Sequence, residues 1–421
     1  MMAIRDPLST RIVITGLGTI NPLGNSVGEF WDNLIAGKSG VRLVKNPDIA
    51  NFNVRIGAEV DLPDLTGYFK KLSMSRRLDR YVVLAHIAAS QAIKDSGIDP
   101  GNEPHRYGAL IGTGDAGVEL TYQTFNKIFK HGVESTSPFY VVGCIPNTAS
   151  AYFANEFNLQ GPNFSINSAC ATSNHSIGMA SLLIKMGFAD VMFAGGAEAT
   201  VNVPGFAGFG AIRALSERND SPETASRPFD KDRDGFVLAE GAGVICLEEL
   251  EHAKKRGAHI YGEFSGFGCS CDAYDLVAPH PEGRGAKMVM EQCIANAHLN
   301  KDQVDLINAH GTSTPLGDLA ESKAINAVFG DLAPKISVHS TKSMTGHLLG
   351  AAGGVEAIAA ILALEKNIIH ATINQFTQDP DIKLSVVRNV PMEKKVNHIL
   401  SNSFGFGGQN AALLISRFTG T

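Results

Sequence analysis

A chain of 421 residues exceeds the ~250 to 300 at which one hydrophobic core stops growing, so two domains, or two halves sharing a core, are expected. Its net charge of −6 argues against a general nucleic-acid binder, and 44% hydrophobic with 19% charged residues is the balance of an ordinary globular protein. No run approaches the ~18 apolar residues of a membrane span, the start lacks an apolar signal segment, and Cys144, Cys170, Cys246, Cys269, Cys271 and Cys293 form no metal-ligating framework; a cytoplasmic chain without membrane or metal is expected.

Taken in order, the chain opens with a strand at Arg11 to Thr15, followed by Gly16-Leu17-Gly18-Thr19-Ile20-Asn21-Pro22, which reads as a glycine-rich turn. It lacks the third glycine of a dinucleotide-binding fingerprint and Pro22 interrupts it, so no such cofactor is expected. Val27 to Ala36 has the spacing of an amphipathic helix. Lys70, Lys71, Arg76, Arg77 and Arg80 cluster before a helix from Tyr81 to Asp95, as either a solvated face or a landing site for an acidic partner. A strand from Tyr107 to Gly112 runs into Thr113-Gly114-Asp115. Phe164 to Ile166 then reads as a short strand leading to Cys170, and Ile177 to Met186 has helical spacing. Cys170 is thereby placed at a helix N-terminus, where unpaired backbone N–H groups lower a thiol below its usual ~8.5; the alternative is a thiol that merely packs. With another strand from Asp190 to Gly195, the alternation predicts an α/β fold with a largely parallel, helix-covered sheet.

The second half repeats the theme. A strand from Asp305 to Ala309 ends at His310, and one from Lys335 to Val338 ends in a polar turn reaching His347, before a small-residue helix from Leu348 to Leu364. Strand, polar turn and helix thus occur in both halves, which suggests an internal duplication. A histidine held neutral near a helix start donates one N–H to a carbonyl oxygen, and two such donors stabilise an enolate; each alone is as readily a structural histidine. Lys342 adds positive charge to the same turn, or is a surface lysine. The loop from Ser401 to Asn410 carries Phe404 and Phe406 among glycines, and supplies an oxyanion donor or is simply a turn.

Ser-Ala-Cys-Ala-Thr-Ser at 168–173, Asn-Ala-His-Gly-Thr-Ser-Thr-Pro at 308–315, Ser-Thr-Lys-Ser-Met-Thr-Gly-His at 340–347 and Asn-Ser-Phe-Gly-Phe-Gly-Gly at 402–408 resemble the four signature segments of β-ketoacyl-acyl-carrier-protein synthases, in their elongating class with a Cys-His-His triad. The likeness runs from Arg11 to about Ser416 and includes the segment Arg227 to Phe236. It implies the thiolase fold, with two similar α/β halves forming a five-layered α-β-α-β-α sandwich, normally a homodimer. Residues 11–260 would carry the nucleophile and the inserted cap and docking segments, and residues 261–417 both histidines. The implied activity is an acyltransferase reaction, the decarboxylative condensation of an acyl group on Cys170 with malonyl-acyl-carrier-protein in fatty acid elongation. His310 and His347 match the enolate-stabilising pair, Lys342 the buried lysine and Glu356 its following carboxylate. The resemblance assigns the oxyanion hole to the backbone N–H groups of Cys170 and Phe404, with Phe404 as gate. It assigns Thr312, Thr314 and Phe406 to substrate and Arg76, Arg77 and Arg213 to carrier docking. No cofactor of its own is implied, since the phosphopantetheine arm arrives on the carrier protein. Two positions depart from the pattern: Asp115 stands where an apolar residue or glycine usually flanks the acyl chain, and Val277 where threonine often faces the arm. A specialised polyketide-type ketosynthase with a dedicated carrier is the alternative, since it shares every one of these residues.

Overall fold

The computed structural model describes residues 5–101 and 103–420. Its principal strands are β1 (Ile12–Ile20), β2 (Tyr107–Gly112), β3 (Val191–Ala199), β4 (Glu240–Glu249), β5 (Gly262–Cys271), β6 (Leu306–Asn308), β7 (Ser337–His339), β8 (Ser385–Val386), β9 (His398–Gly405) and β10 (Gln409–Ser416), joined in the order β8-β7-β6-β9-β10-β5-β1-β4-β3-β2. One pairing scheme occurs twice. β1 is antiparallel to β4, β4 antiparallel to β3 and β3 parallel to β2. In the second half β5 is antiparallel to β10, β10 antiparallel to β9 and β9 parallel to β6. The halves join where Ile12 to Ile14 of β1 pair with Gly262 to Phe264 of β5.

The sheet is mixed rather than largely parallel. Only Phe406, Gly407 and Gly408 separate β9 from β10, and so short a turn admits only an antiparallel hairpin. Phe164 to Ile166 forms no strand either; a single bridge from Asn163 to Ala109 is all that pairs this edge of the sheet.

Side chains alternate across each strand, and the alternation sorts them into layers. In β4, Ala242, Val244 and Cys246 pack with helices α1 (Arg80–Ser96) and α2 (Thr148–Phe157), whereas Ile245 and Leu247 face the interior between the halves. That interior holds α3 (Thr172–Lys185). In β10, Leu413 and Ile415 face it while Ala412 and Leu414 pack with α4 (Arg284–Asn296) and α5 (Pro315–Phe329). A further helix, α6 (Ala352–Lys366), shares the interior with α3 and is buried all round from Ala352 to Leu364, as a helix between two sheets must be. The result is the α-β-α-β-α sandwich. Among the described residues no helix is long and apolar enough to cross a membrane.

Gly16 and Gly18 are not a turn but the middle of β1. A Cβ on Gly18 would lie 1.9 Å from the Ala88 carbonyl oxygen and one on Gly16 2.4 Å from that of Ala92, so these glycines exist to let α1 lie close on the strand. A glycine pattern of this kind looks like a phosphate-binding turn until the helix across from it is known.

Candidate active site

Cys170 stands in a tight turn, Ala169–Ala171, directly before α3. In the other half the turn Leu349–Ala351 directly precedes α6. Ala169 and Leu349 both take left-handed backbone angles, φ 48° and 45°, a strain of order 1–3 kcal/mol each that the surrounding packing must hold. Gly405 seats the nucleophile turn: a Cβ there would fall 2.7 Å from the Ser168 carbonyl oxygen and 3.3 Å from the Cys170 nitrogen.

The two turns bring the predicted triad together. Cys170 Sγ lies 3.1 Å from His347 Nε2, and the His347 ring stands nearly perpendicular to that of His310, centroids 5.4 Å apart. The Leu349 N–H donates to His347 Nδ1 at 3.3 Å, which leaves the ring proton on Nε2, facing the sulfur. His310 is fixed from behind, because its own N–H and that of Gly311 donate to Glu321 on α5 at 2.9 and 2.8 Å. Lys342 is 1% exposed and forms an ion pair with Glu356, whose other carboxylate oxygen is buried without a partner.

Burial governs the protonation states. It holds both imidazoles well below the usual histidine range, with Lys342 pushing the same way, so both are neutral. It also pushes the Cys170 thiol up to about 12, opposed by Lys342 and by the backbone N–H groups of Phe406 and Cys170. The lowered thiol expected from the helix N-terminus is therefore not found; desolvation of a thiolate in this enclosed position outweighs Lys342 and those N–H groups, and the resting group is a thiol.

The backbone N–H that reaches the sulfur is not the one expected. Phe406, not Phe404, sends its N–H to the sulfur. Phe404 lies inside the ladder, paired with Asn410, and its ring sits 5.5 Å from that of His310; Phe406 falls past the last pair of the hairpin, where its N–H is free to point inward.

A cleft of about 390 Å³ leads from Cys170 and the two histidines past Thr312, Thr314 and Val277 to Arg213. The Thr312 and Thr314 hydroxyls lie 3.0 Å apart on one wall. Asp115 does not line this cleft. It is half-buried on the far side of the nucleophile turn, where its N–H donates to Glu198 at 3.2 Å. Arg76 and Arg77 flank the start of α1, with Arg77 stacked 4.4 Å above the Phe139 ring; neither lines the cleft, which Arg213 does.

Several supporting residues escaped the sequence reading. Glu198, fully buried in β3, accepts from the Thr113 hydroxyl and from the Gly114 and Gly350 N–H groups at 2.8 to 2.9 Å, tying both halves behind Cys170. Burial, and the charge of Asp115, push it up to about 7. Arg233 donates to the Thr314 and Pro315 carbonyls at 3.2 and 2.9 Å, and Asp318 accepts from the Ser313 and Phe229 N–H groups, so the loop after β6 is clamped from outside. The available signal was a charged residue within an apolar run, as Glu198 is in its strand.

Residues 9–253 match the N-terminal domain of β-ketoacyl synthases and residues 261–376 the C-terminal domain. A 3-oxoacyl-[acyl-carrier-protein] synthase 2 of Coxiella burnetii is 46% identical over 409 residues, 97% of this chain and 98% of that one, and one of Vibrio cholerae is 43% identical over 410 residues, 97% and 99% of the two chains. Among solved structures, the complex of a type II PKS acyl-carrier protein with its ketosynthase bound to the hexaketide contains a chain that superposes with a TM-score of 0.91 at 32% identity, covering 99% of this chain and 100% of that one. A β-ketoacyl synthase from Burkholderia phymatum gives 0.90 at 33%, covering 97% and 100%. The chain belongs to the β-ketoacyl synthase family. It is a condensing acyltransferase on the thiolase fold.

Proposed function

We propose that the site condenses an acyl group held on Cys170 with malonyl-acyl-carrier-protein, giving 3-oxoacyl-acyl-carrier-protein and carbon dioxide, as the elongating step of fatty acid synthesis. The observation that carries this reading is the 3.1 Å approach of Cys170 Sγ to His347 Nε2, with His310 alongside, at the inner end of the cleft. In loading, Sγ bonds to the thioester carbonyl carbon, the oxygen takes the charge against the Cys170 and Phe406 N–H groups, and the carrier thiol leaves with a proton. Because burial disfavours a free thiolate, the thiol proton departs as that bond forms and ends on the leaving carrier thiol. In condensation the malonyl carboxylate leaves as carbon dioxide and its electron pair passes to the thioester, whose enolate oxygen faces the N–H of His347 and the ring of His310. The α-carbon then attacks the acyl carbonyl, the bond to Sγ breaks, and Cys170 leaves as a thiolate that takes a proton from solvent to restore the resting thiol. Neutral imidazoles suit this role, since each has an N–H to give without adding a charge to the resting site.

The arm of the carrier enters past Thr312 and Thr314, which makes a bound cofactor unnecessary, and Arg213 at the mouth with Arg76 and Arg77 nearer α1 supplies charge for an acidic carrier. The solved complex of a related ketosynthase with its acyl-carrier protein supports that partner. Apolar side chains left exposed at Phe125, Phe129 and Val133 support a homodimer, and the cytoplasm suits a chain whose described helices do not span a membrane. The polyketide alternative uses the same groups; 46% identity to a 3-oxoacyl-acyl-carrier-protein synthase against 32% to the PKS ketosynthase favours fatty acid elongation. Intact-mass spectrometry tests the reading. With a panel of acyl-carrier thioesters the wild type gains the acyl mass and loses it when malonyl-carrier is added, while Cys170→Ala gains nothing; condensation by that variant would sink the mechanism.

A further inference from the structure

Two imidazoles that the chemistry above does not use lie beneath the turn that carries Lys342. His339 ends β7 and His370 follows the short strand Ile368–Ile369; both are fully buried, and their rings touch at a tilt of 49° with centroids 3.9 Å apart. The bonds of His370 define where its proton sits. Nδ1 lies 2.9 Å from the Ala371 carbonyl oxygen, which only accepts, so Nδ1 carries the hydrogen. Nε2 is then a bare acceptor 3.0 Å from the Thr341 hydroxyl, which donates to it. The His339 ring packs against that of His370 at a tilt of 49° and so limits where the His370 ring can move.

Thr341 opens the one-turn helix Lys342–Thr345, and its carbonyl accepts from the Met344 and Thr345 N–H groups at 3.0 and 3.2 Å. A residue that sets the Thr341 side chain therefore sets the pitch of the turn. Lys342 leaves that turn toward Glu356, and its charge acts on Cys170, His310 and His347 alike. We propose that His370 is a positioning residue, which holds the Thr341 hydroxyl while packed against His339 and so fixes the turn that aims Lys342 at Glu356. The proposal rests on the reading of Cys170 as the nucleophile. Displacing such a turn by an ångström is enough to cost up to about 10² in rate.

The test pairs conservative with disruptive changes. His370→Gln keeps an acceptor at the position of Nε2, whereas His370→Asn reaches only the position of Nδ1; Thr341→Ser keeps the hydroxyl and Thr341→Val removes it. The rate of Cys170 alkylation by iodoacetamide, read by peptide mass against pH, reports the charge at Lys342 without requiring turnover. His370→Asn and Thr341→Val are each expected to shift this profile to higher pH and to lower kcat on the order of tenfold with KM unchanged. Their double variant should be no worse than either alone, and His370→Gln and Thr341→Ser should follow the wild type. Additive losses, or unshifted profiles with only a lower thermal midpoint, would overturn the proposal. If the His370 variants do not fold, the profiles of Thr341→Val and Thr341→Ser decide alone. Failure of the wild type to load acyl groups would count against the nucleophile reading instead, and the alkylation profiles would still judge His370.

Discussion

At the scale of single residues, the most deeply buried ion pair among the described residues is Lys342 with Glu356, exposed by only 1% and 2%. Removing two ions from water costs several kcal/mol each, which their mutual attraction repays only in good geometry, and breaking such a pair leaves a bare buried charge. Lys342→Met should therefore destabilise the fold by about 3–5 kcal/mol in urea unfolding. Adding Glu356→Leu should restore most of that loss while condensation stays absent. If the double variant recovered activity as well as stability, the pair would be structural only.

At the scale of elements, the recurring unit is a tight turn with one left-handed residue and a helix that starts at once. Two glycines beside these units make opposite predictions. Gly405→Ala drives a Cβ to 2.7 Å from the Ser168 carbonyl oxygen, so the Cys170 turn must move; condensation should fall by about 10² in kcat while circular dichroism stays that of the wild type. Gly18→Ala drives a Cβ to 1.9 Å from the Ala88 carbonyl, in the contact between β1 and α1 far from the cleft. It should cost about 1–3 kcal/mol of stability and leave the activity of the folded fraction unchanged. Reversal of the two outcomes, by activity assay and urea titration, would show that the nucleophile turn tolerates movement.

At the scale of the whole molecule, the interior is dense in titratable groups held neutral. His310, His339, His347 and His370 are all held below 6.5 by burial, His370 at about 4. Each contributes stability that is fully present above 6.5 and is lost as pH falls below it, because the unfolded chain then binds a proton the folded chain refuses. Glu198 and Asp318, pushed up to about 7, act with the opposite sign, losing stability as pH rises through the carboxylate range to 7. Only the difference between variant and wild type isolates one group. His339→Phe keeps an aromatic ring against His370 and removes the titration, so its stability in urea unfolding should gain on that of the wild type between pH 7 and pH 5, by up to about 1.4 kcal/mol per pH unit. An unchanged difference would mean that His339 takes up its proton in the fold at the same pH as in the unfolded chain.

How much of this was legible beforehand follows from the range of the forces involved. Cys170, His310, His347, Lys342 and Glu356 are readable because each sits in a short stretch whose residue types and spacing the chemistry itself demands, and the helices after the Cys170 and His347 stretches follow from local apolar periodicity. The helix at Arg80–Ser96 and the strand at Tyr107–Gly112 were visible for the same reason. Other features depend on residues distant in sequence. Whether Phe404 or Phe406 gives its N–H to the sulfur is settled by where the ladder with β10 stops, and whether Gly16 and Gly18 make a turn or a contact is settled by a helix some 70 residues on. The protonation state of Cys170 inverted for the same cause: a helix terminus is a local property, but burial is conferred by both halves of the chain closing over the thiol, and desolvation is the larger effect.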